Sequence, residues 1–231
     1  MTRSLFLTGT DTGVGKTFMG CLLAELVRGA GKSVGVLKPF SAGDLNDAVR
    51  LQRAAGEKGA PQDATLLYCP LPLTPAAQIG LGPSGKKIVE KTVLRALAAV
   101  RDLQKKNDVV VVEGVGGVLA PLGGPYVVAD LMARLKLPVW VVARAGLGTL
   151  NHTLLTVEAL KSRGVFTRRI LLNGYKGKDL SEKSNGPLLR QLTGIPVTEI
   201  PYTSARLRKK KVQRLLWDAF TTDFPSFNET K

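Results

Sequence analysis

Cysteine and histidine are nearly missing from this chain. Cys21 and Cys69 are its only thiols, and His152 is the only imidazole in 231 residues. The cysteines show no metal-ligand spacing, which excludes a zinc framework and a disulfide scaffold and leaves two neutral thiols of a reduced compartment. His152 has no acidic or cysteine partner nearby in sequence and reads as structural. Aromatics make up only 6%, and none interleaves with a basic run as a nucleic-acid stacking platform requires. No apolar run reaches the roughly 18 to 20 residues of a membrane span. The first residues (MTRSLFLTGTDTG) pass from a short apolar stretch straight into a glycine-rich motif that a cleaved leader would sacrifice. A cytoplasmic protein without a signal peptide is expected.

Acidic residues are also scarce, 18 against 33 Lys and Arg, for a net charge of +15. Such a surface attracts nucleic acid, anionic lipid or small anions. Part of the excess is local: Arg206, Arg208, Lys209, Lys210, Lys211 and Arg214 crowd together near the C-terminus. Val212, Leu215, Leu216, Ala219 and Phe220 follow at helical spacing, which predicts a C-terminal helix with a packed stripe and a solvated basic face. Neither a nucleic-acid nor a membrane partner is expected.

What remains is an ordinary globular composition, 44% hydrophobic and 22% charged, sufficient for one α/β domain over residues 1–231. Short β-rich runs alternate with longer helical patterns. Ser4–Thr8, Ser33–Leu37, Asp108–Val112, Pro138–Ala143, Arg168–Asn173 and Pro196–Ile200 read as strands, several of them apolar throughout, as in a parallel sheet covered on both faces. Helical periodicity falls on Gly15–Gly29, Lys86–Gln104, Tyr126–Leu135, Leu150–Arg163 and Pro187–Leu192. The alternation predicts βαβ crossovers and an open, mostly parallel sheet of about seven strands with helices on both faces. The proline-rich stretch from Tyr68 to Gly85 reads as an extended loop.

Three motifs carry chemistry. The first is Gly9-Thr10-Asp11-Thr12-Gly13-Val14-Gly15-Lys16-Thr17, directly after an apolar run and opening a helical one. Backbone N–H groups of such a loop, with the helix N-terminus behind them, form a site for phosphate oxygens. Lys16 is expected to reach the β- and γ-phosphates and Thr17 to ligate Mg²⁺. Gly9 and Gly15 enclose one residue more than the usual P-loop spacing. The second motif is Lys38-Pro39 at the end of the second strand, with Ser41, Ala42 and Asp47 following. Lys38 is either a second cation over the reacting groups or an ordinary exposed lysine, and Asp47 a metal ligand or a helix-start aspartate. The third is Val111-Val112-Glu113-Gly114-Val115-Gly116-Gly117, where an acid at a strand tip near a phosphate loop suits Mg²⁺ binding. Asn173, at the end of the fifth strand, suits either a base edge or a turn cap.

Together these residues resemble the dethiobiotin synthetase family. Gly9 to Thr17 is similar to its lengthened loop GTDT-x-VGKT, Lys38-Pro39 to its catalytic lysine and Asp47-Ala48 to its metal-binding aspartate. Glu113 to Gly117 resembles its E-G-A-G-G run, and Gly148-Thr149-Leu150-Asn151-His152 its G-x-x-N-H helix start. Leu171-Leu172-Asn173 and Glu199-Ile200-Pro201-Tyr202 match the strand ends that hold its adenine. The chain differs in having Ala42 where the family has a hydroxyl residue, Ser41 standing one step earlier. Pro72-Leu73-Thr74-Pro75-Ala76 replaces Pro-Thr-Ser-Pro-His, and the loop from Lys38 to Asp47 is short.

The resemblance implies that 7,8-diaminononanoate, CO₂ and MgATP give dethiobiotin, ADP and phosphate through a carbamate and a carbamic-phosphoric anhydride. It implies Lys38 and Lys16 as catalytic, and Thr17, Asp47 and Glu113 as metal ligands. ATP would lie on Thr12, Gly13, Val14, Gly15, Lys16, Thr17, Asp47, Glu113, Gly114, Val115, Gly116, Asn173, Gly174, Pro201 and Tyr202. Substrate would lie on Thr12, Ser41 and Ala42 and, across a homodimer interface, on the partner's helix start at Leu147, Thr149, Leu150 and Asn151. A partition- or septum-site-type ATPase is the rival, but it carries a signature lysine where this chain has Asp11. A cobyrinate-type amide ligase needs a glutaminase domain for which there is no room.

Overall fold

In β1 (Arg3–Gly9) Leu5 and Leu7 point into one helical layer and Phe6 into the other. The computed structural model, which describes residues 3–202 and 206–227, repeats this period of two in each central strand. After β1 come α1 (Lys16–Gly29), β2 (Val34–Leu37), β3 (Phe40–Ala42), α2 (Asn46–Ala55), β4 (Leu67–Cys69), α3 (Pro75–Ile79) and α4 (Pro83–Lys106). The second half contributes β5 (Val109–Glu113), β6 (Pro121–Gly123), β7 (Tyr126–Val127), α5 (Val128–Leu135), β8 (Val139–Arg144) and α6 (Thr149–Lys161). It ends with β9 (Thr167–Tyr175), α7 (Leu180–Thr193), β10 (Val197–Pro201) and α8 (Arg206–Asp223).

Six strands form the main sheet in the order β10-β9-β8-β1-β5-β2, every pairing parallel. This corrects the expected count of about seven; the short pairs β3–β4 and β6–β7 form separate two-stranded sheets. One core cluster lies under α4, α5, α6 and α7, and the other under α1, α2 and α8. With both faces covered, β5 (Val-Val-Val-Val-Glu) is buried at every position, the pattern parallel sheets favour. No helix among the described residues is long and apolar enough to cross a membrane.

The last helix behaves as its spacing predicts. Val212, Leu216, Ala219 and Phe220 are buried, while Lys210, Lys211 and Arg214 are exposed. The side chains of Arg206, Arg208 and Lys209 lie outside the described residues. At its end the helix ties into the amino edge of the sheet. Asp223 Oδ2 accepts from Trp140 Nε1 and Arg169 Nε, both at 2.8 Å, and Oδ1 accepts from Arg169 Nη2 at 2.6 Å. Arg168 Nη2 adds a bond of 2.7 Å to the Asp223 carbonyl.

Three helical boundaries depart from expectation. The stretch from Tyr68 to Gly85, read as a loop, contains the end of β4, all of α3 and the start of α4. Pro75 and Pro83 sit at first helical positions, where a missing N–H loses nothing. α7 begins at Leu180, capped by the Asp179 carboxylate, and carries Pro187 inside it rather than at its start. α2 has no counterpart among the predicted helices; it places Asp47 in its first turn.

Candidate active site

The carboxyl edge of the sheet gathers the three motifs. The phosphate loop leaves β1, is tied to β8 by Thr10 N–H donating to Val142 O at 3.0 Å, and re-enters α1 through Gly15. Gly15 has φ +103°, and a Cβ there would overlap Asn173 Nδ2, so only glycine fits. Asn173, on β9, donates from Nδ2 to Val14 O at 2.8 Å. Its amide thus braces the phosphate loop, a role absent from both local readings of that residue. Thr12 N–H is held by the Asp11 carboxylate at 2.7 Å.

Behind the loop is a buried charge cluster. Glu113, at the tip of β5, is fully buried; its Oε1 accepts from Thr17 Oγ1 at 2.8 Å and from Lys38 Nζ at 2.5 Å. Lys38 Nζ also reaches Asp47 Oδ2 at 2.9 Å. Lys16 Nζ is clasped by the carbonyls of Asp11 at 2.9 Å and Gly116 at 2.8 Å. Lys38, open to the ordinary-lysine reading, is therefore 4% exposed and doubly paired. Asp47, open to the helix-start reading, is a partner of that cluster as well as a first-turn residue.

The ionisation pattern follows. Burial pushes Lys16 from 10.5 down to about 8, with Lys38 adding to the drop and Glu113 opposing it. Burial also acts to lower Lys38, but Glu113 and Asp47 outweigh it and hold the ammonium above its ordinary value. Complete burial raises Glu113, against the pull of Lys38. Burial acts to raise Asp47, and Lys38 overcomes it, leaving that carboxyl below the ordinary range. Cys21, nearby on α1, is driven up to about 12 chiefly by burial and stays a neutral thiol.

Glu113 Oε2 is buried without a hydrogen-bond partner. Among the described residues no group of three or more His, Cys, Asp and Glu side chains could hold a metal. Two carboxylates and a hydroxyl nevertheless suit Mg²⁺, which keeps several waters and takes one or two carboxylates plus phosphate oxygens. Thr17 and the half-exposed Asp47 line the cavity and fit that requirement, while Glu113, fully buried, stands behind them and is joined to both through Thr17 Oγ1 and Lys38 Nζ.

A cavity of about 940 Å³ opens over this cluster. Thr12, Gly13, Gly15, Lys16, Thr17, Lys38, Ala42, Asp47, Val115 and Gly116 all line it. Val14, Glu113 and Gly114, also expected at the ligand, are buried behind the wall and do not line it. Ser41 does not reach the cavity; its hydroxyl is buried against Thr65 Oγ1 at 3.2 Å because β3 alternation turns Ala42 inward instead. Leu147, Thr149, Leu150 and Asn151 lie outside the cavity; Leu147 is 89% exposed and Thr149 is buried against Thr153. Gly174, Pro201 and Tyr202 also lie outside it, at the ends of β9 and β10. There the Tyr202 N–H donates to Tyr175 O at 2.9 Å, and Lys176 sits 5.3 Å from the Tyr202 ring centre.

Some cavity residues escaped sequence reasoning. His152, read as structural, is exposed on the wall with Leu155 and Thr156 of α6. Their spacing on one helical face was the available signal. Arg50 lines the opposite side from α2, three residues after Asp47.

With this geometry in view, relatives are informative. A family model described as an AAA domain matches residues 3–206. The ATP-dependent dethiobiotin synthetase of Endomicrobium trichonymphae is 38% identical over 228 residues, covering 94% of this chain and 99% of the relative. That of Anaeromyxobacter dehalogenans strain 2CP-1 is 47% identical over 176 residues, covering 74% and 76%. The Bacillus subtilis protein of the same name is 34% identical and covers 94% of each chain. Among solved structures, the cell division protein FtsY of Thermotoga maritima superposes with a TM-score of 0.55 at 16% identity, over 94% of this chain and 69% of that one. That likeness concerns the fold alone. Sequence identity of this extent places the chain in the ATP-dependent dethiobiotin synthetase family.

Proposed function

We propose that the protein carboxylates 7,8-diaminononanoate and closes its ring to dethiobiotin, converting ATP to ADP and phosphate. The observation that carries this reading is the pairing of buried Lys38 with Glu113, beside buried Lys16 on the phosphate loop, beneath an open, phosphate-loop-walled cavity. One substrate amine adds to CO₂ and loses a proton to give a carbamate. A carbamate oxygen attacks the γ-phosphorus and ADP leaves. The second amine then attacks the carbonyl carbon of the resulting anhydride, phosphate departs with the C–O bond, and the cyclic urea remains.

Each residue has a physical task in this sequence. An amine must be neutral to attack CO₂, and the positive charges of Lys16 and Lys38 disfavour its protonation. The same charges stabilise the carbamate and the transferring phosphoryl group in a site already organised around them. Thr17 and Asp47 on the cavity wall, with the Glu113 carboxylate behind them, would hold a magnesium ion, whose charge would offset that of the phosphates. The base would lie toward Asn173, Gly174, Pro201 and Tyr202 at the ends of β9 and β10, and the substrate chain against Thr12 and Ala42. A homodimer would bring the partner's helix start over the cavity, offering backbone N–H groups to the substrate carboxylate. The exposed Leu147 and Leu155 of that region support an interface.

Purified protein supplied with diaminononanoate, bicarbonate and MgATP should release dethiobiotin, identified by mass, with one phosphate per product. Intact ATP binding with no dethiobiotin would sink the assignment.

A further inference from the structure

Three cationic side chains, Lys16, Lys38 and Arg50, line the cavity. Two of them are committed: Lys16 to the carbonyls of Asp11 and Gly116, Lys38 to Asp47 and Glu113. Arg50 is different. It is exposed to the cavity and makes no hydrogen bond or ion pair among the described residues. Its charge nevertheless acts on both Asp47 and Cys21. Cys21 stands one helical turn beyond Thr17 on α1, so the guanidinium lies on the side of the cavity walled by α1 and α2, with Thr17, Phe18 and Asp47.

The local charge balance gives that position a purpose. Lys16 and Lys38 are offset by Glu113 and Asp47, leaving the inner cluster close to neutral. Arg50 adds to this wall a cation that no carboxylate among the described residues pairs at close range. α2 holds it there because Leu51, Ala54 and Ala55 pack into the core beneath, which turns Asp47 and Arg50, three positions apart, toward the cavity together. A planar fork of five donors with none engaged is suited to two oxygens of one oxyanion.

We propose that Arg50 is a contact residue for the terminal phosphoryl group, gripping it on ATP and again as it leaves as phosphate. This rests on reading the cavity as an ATP site, but not on the identity of the amine acceptor. The alternative oxyanion, a substrate carboxylate or carbamate, would call for the same guanidinium and is separated below.

The test is titration of full-length wild type, Arg50→Met and Arg50→Lys with ATP and with ADP, magnesium present and amine substrate absent. The expected result is that Arg50→Met lowers ATP affinity about tenfold, the size of a charge-assisted contact at an accessible site, while ADP affinity is unchanged. Arg50→Lys should recover part of the loss, since it keeps charge but not the fork. Inorganic phosphate should inhibit turnover less in Arg50→Met than in wild type. Equal losses for ATP and ADP would reduce Arg50 to a general field effect and overturn the contact. An unchanged ATP-to-ADP ratio with a raised KM for diaminononanoate would also overturn it, assigning Arg50 to the acceptor. Wild-type protein that makes no dethiobiotin yet shows the ratio effect would keep the phosphoryl contact and remove the proposed reaction.

Discussion

The chain buries a carboxylate at each edge of its sheet and equips the two in opposite ways. At the amino edge, Asp223 receives three side-chain hydrogen bonds from Trp140 and Arg169, and both of its oxygens are engaged. Aromatic packing closes over it, with Trp140 and Phe220 ring centres 6.4 Å apart. At the carboxyl edge, Glu113 receives two bonds on one oxygen and none on the other, under a cavity rather than under aromatic rings. A saturated buried ion is a strut, because removing any partner leaves a charge stranded. An unsaturated one is a socket, since its partners Lys38 and Thr17 reach the cavity wall and are held there by a charge that is not locked from both sides. Burial alone does not separate the roles; counting partners per oxygen does.

The largest test breaks the socket. Lys38→Ala should lower turnover by at least about a thousandfold, by loss of a charge aimed at the reacting oxygens, while ATP still binds the phosphate loop. Steady-state rates beside nucleotide titration check this, and a near-normal rate would exclude its proposed role. Breaking the strut should do the reverse. Asp223→Ala strands Arg169 and should destabilise the fold by about 3–5 kcal/mol, read from urea unfolding, with turnover per folded molecule unchanged. If Asp223→Ala instead damaged turnover at constant stability, the distinction between the edges would fail.

A backbone test is next in size. Gly15→Ala forces a side chain into φ +103° and against Asn173, a strain of roughly 1–3 kcal/mol. ATP affinity should fall about tenfold or more, and replacing Asn173 by a smaller residue should restore only the part due to the collision. The smallest effect is in pH. Lys16 titrates near 8, so its charge is present below that pH and lost above it, and affinity for ATP should decline from pH 8 upward. The unfolded chain binds more protons than the folded one between about 8 and 10.5. The burden of burying charged Lys16 therefore fades as pH rises through that window. Lys16→Gln should flatten both profiles, measured by nucleotide titration and by unfolding at a series of pH values.

Much of this was legible in the sequence, for identifiable reasons. The six main strands announce themselves because a parallel sheet covered on both faces needs near-continuous apolar runs such as Val109 to Val112. The phosphate loop, Lys38 and Glu113 were legible because each sits at a strand end, where open α/β sheets bind ligands. α2 was not, because its ten residues include Asn46, Asp47, Arg50, Gln52 and Arg53 and carry a narrow apolar face. Arg50 was hidden with it. Ser41 and Ala42 show the limit most plainly: adjacent strand residues face opposite ways, and which faces the cavity depends on how β3 pairs with β4. The Arg169–Asp223 tie joins residues 54 apart, and no local pattern marks it.

That tie also has a consequence for synthesis. α8 supplies Val212, Leu216 and Phe220 to the layer that covers β1, β5 and β8, and its clasp on Trp140 through Asp223 comes after every strand of the sheet in sequence. A ribosome releases the segments in order, so the strands and the phosphate loop emerge well before their cover does. For that interval Trp140 and its neighbours face water on one side, the condition in which chaperones recognise a chain and aggregation competes with folding. Shortening the chain before Phe220 would make that interval permanent.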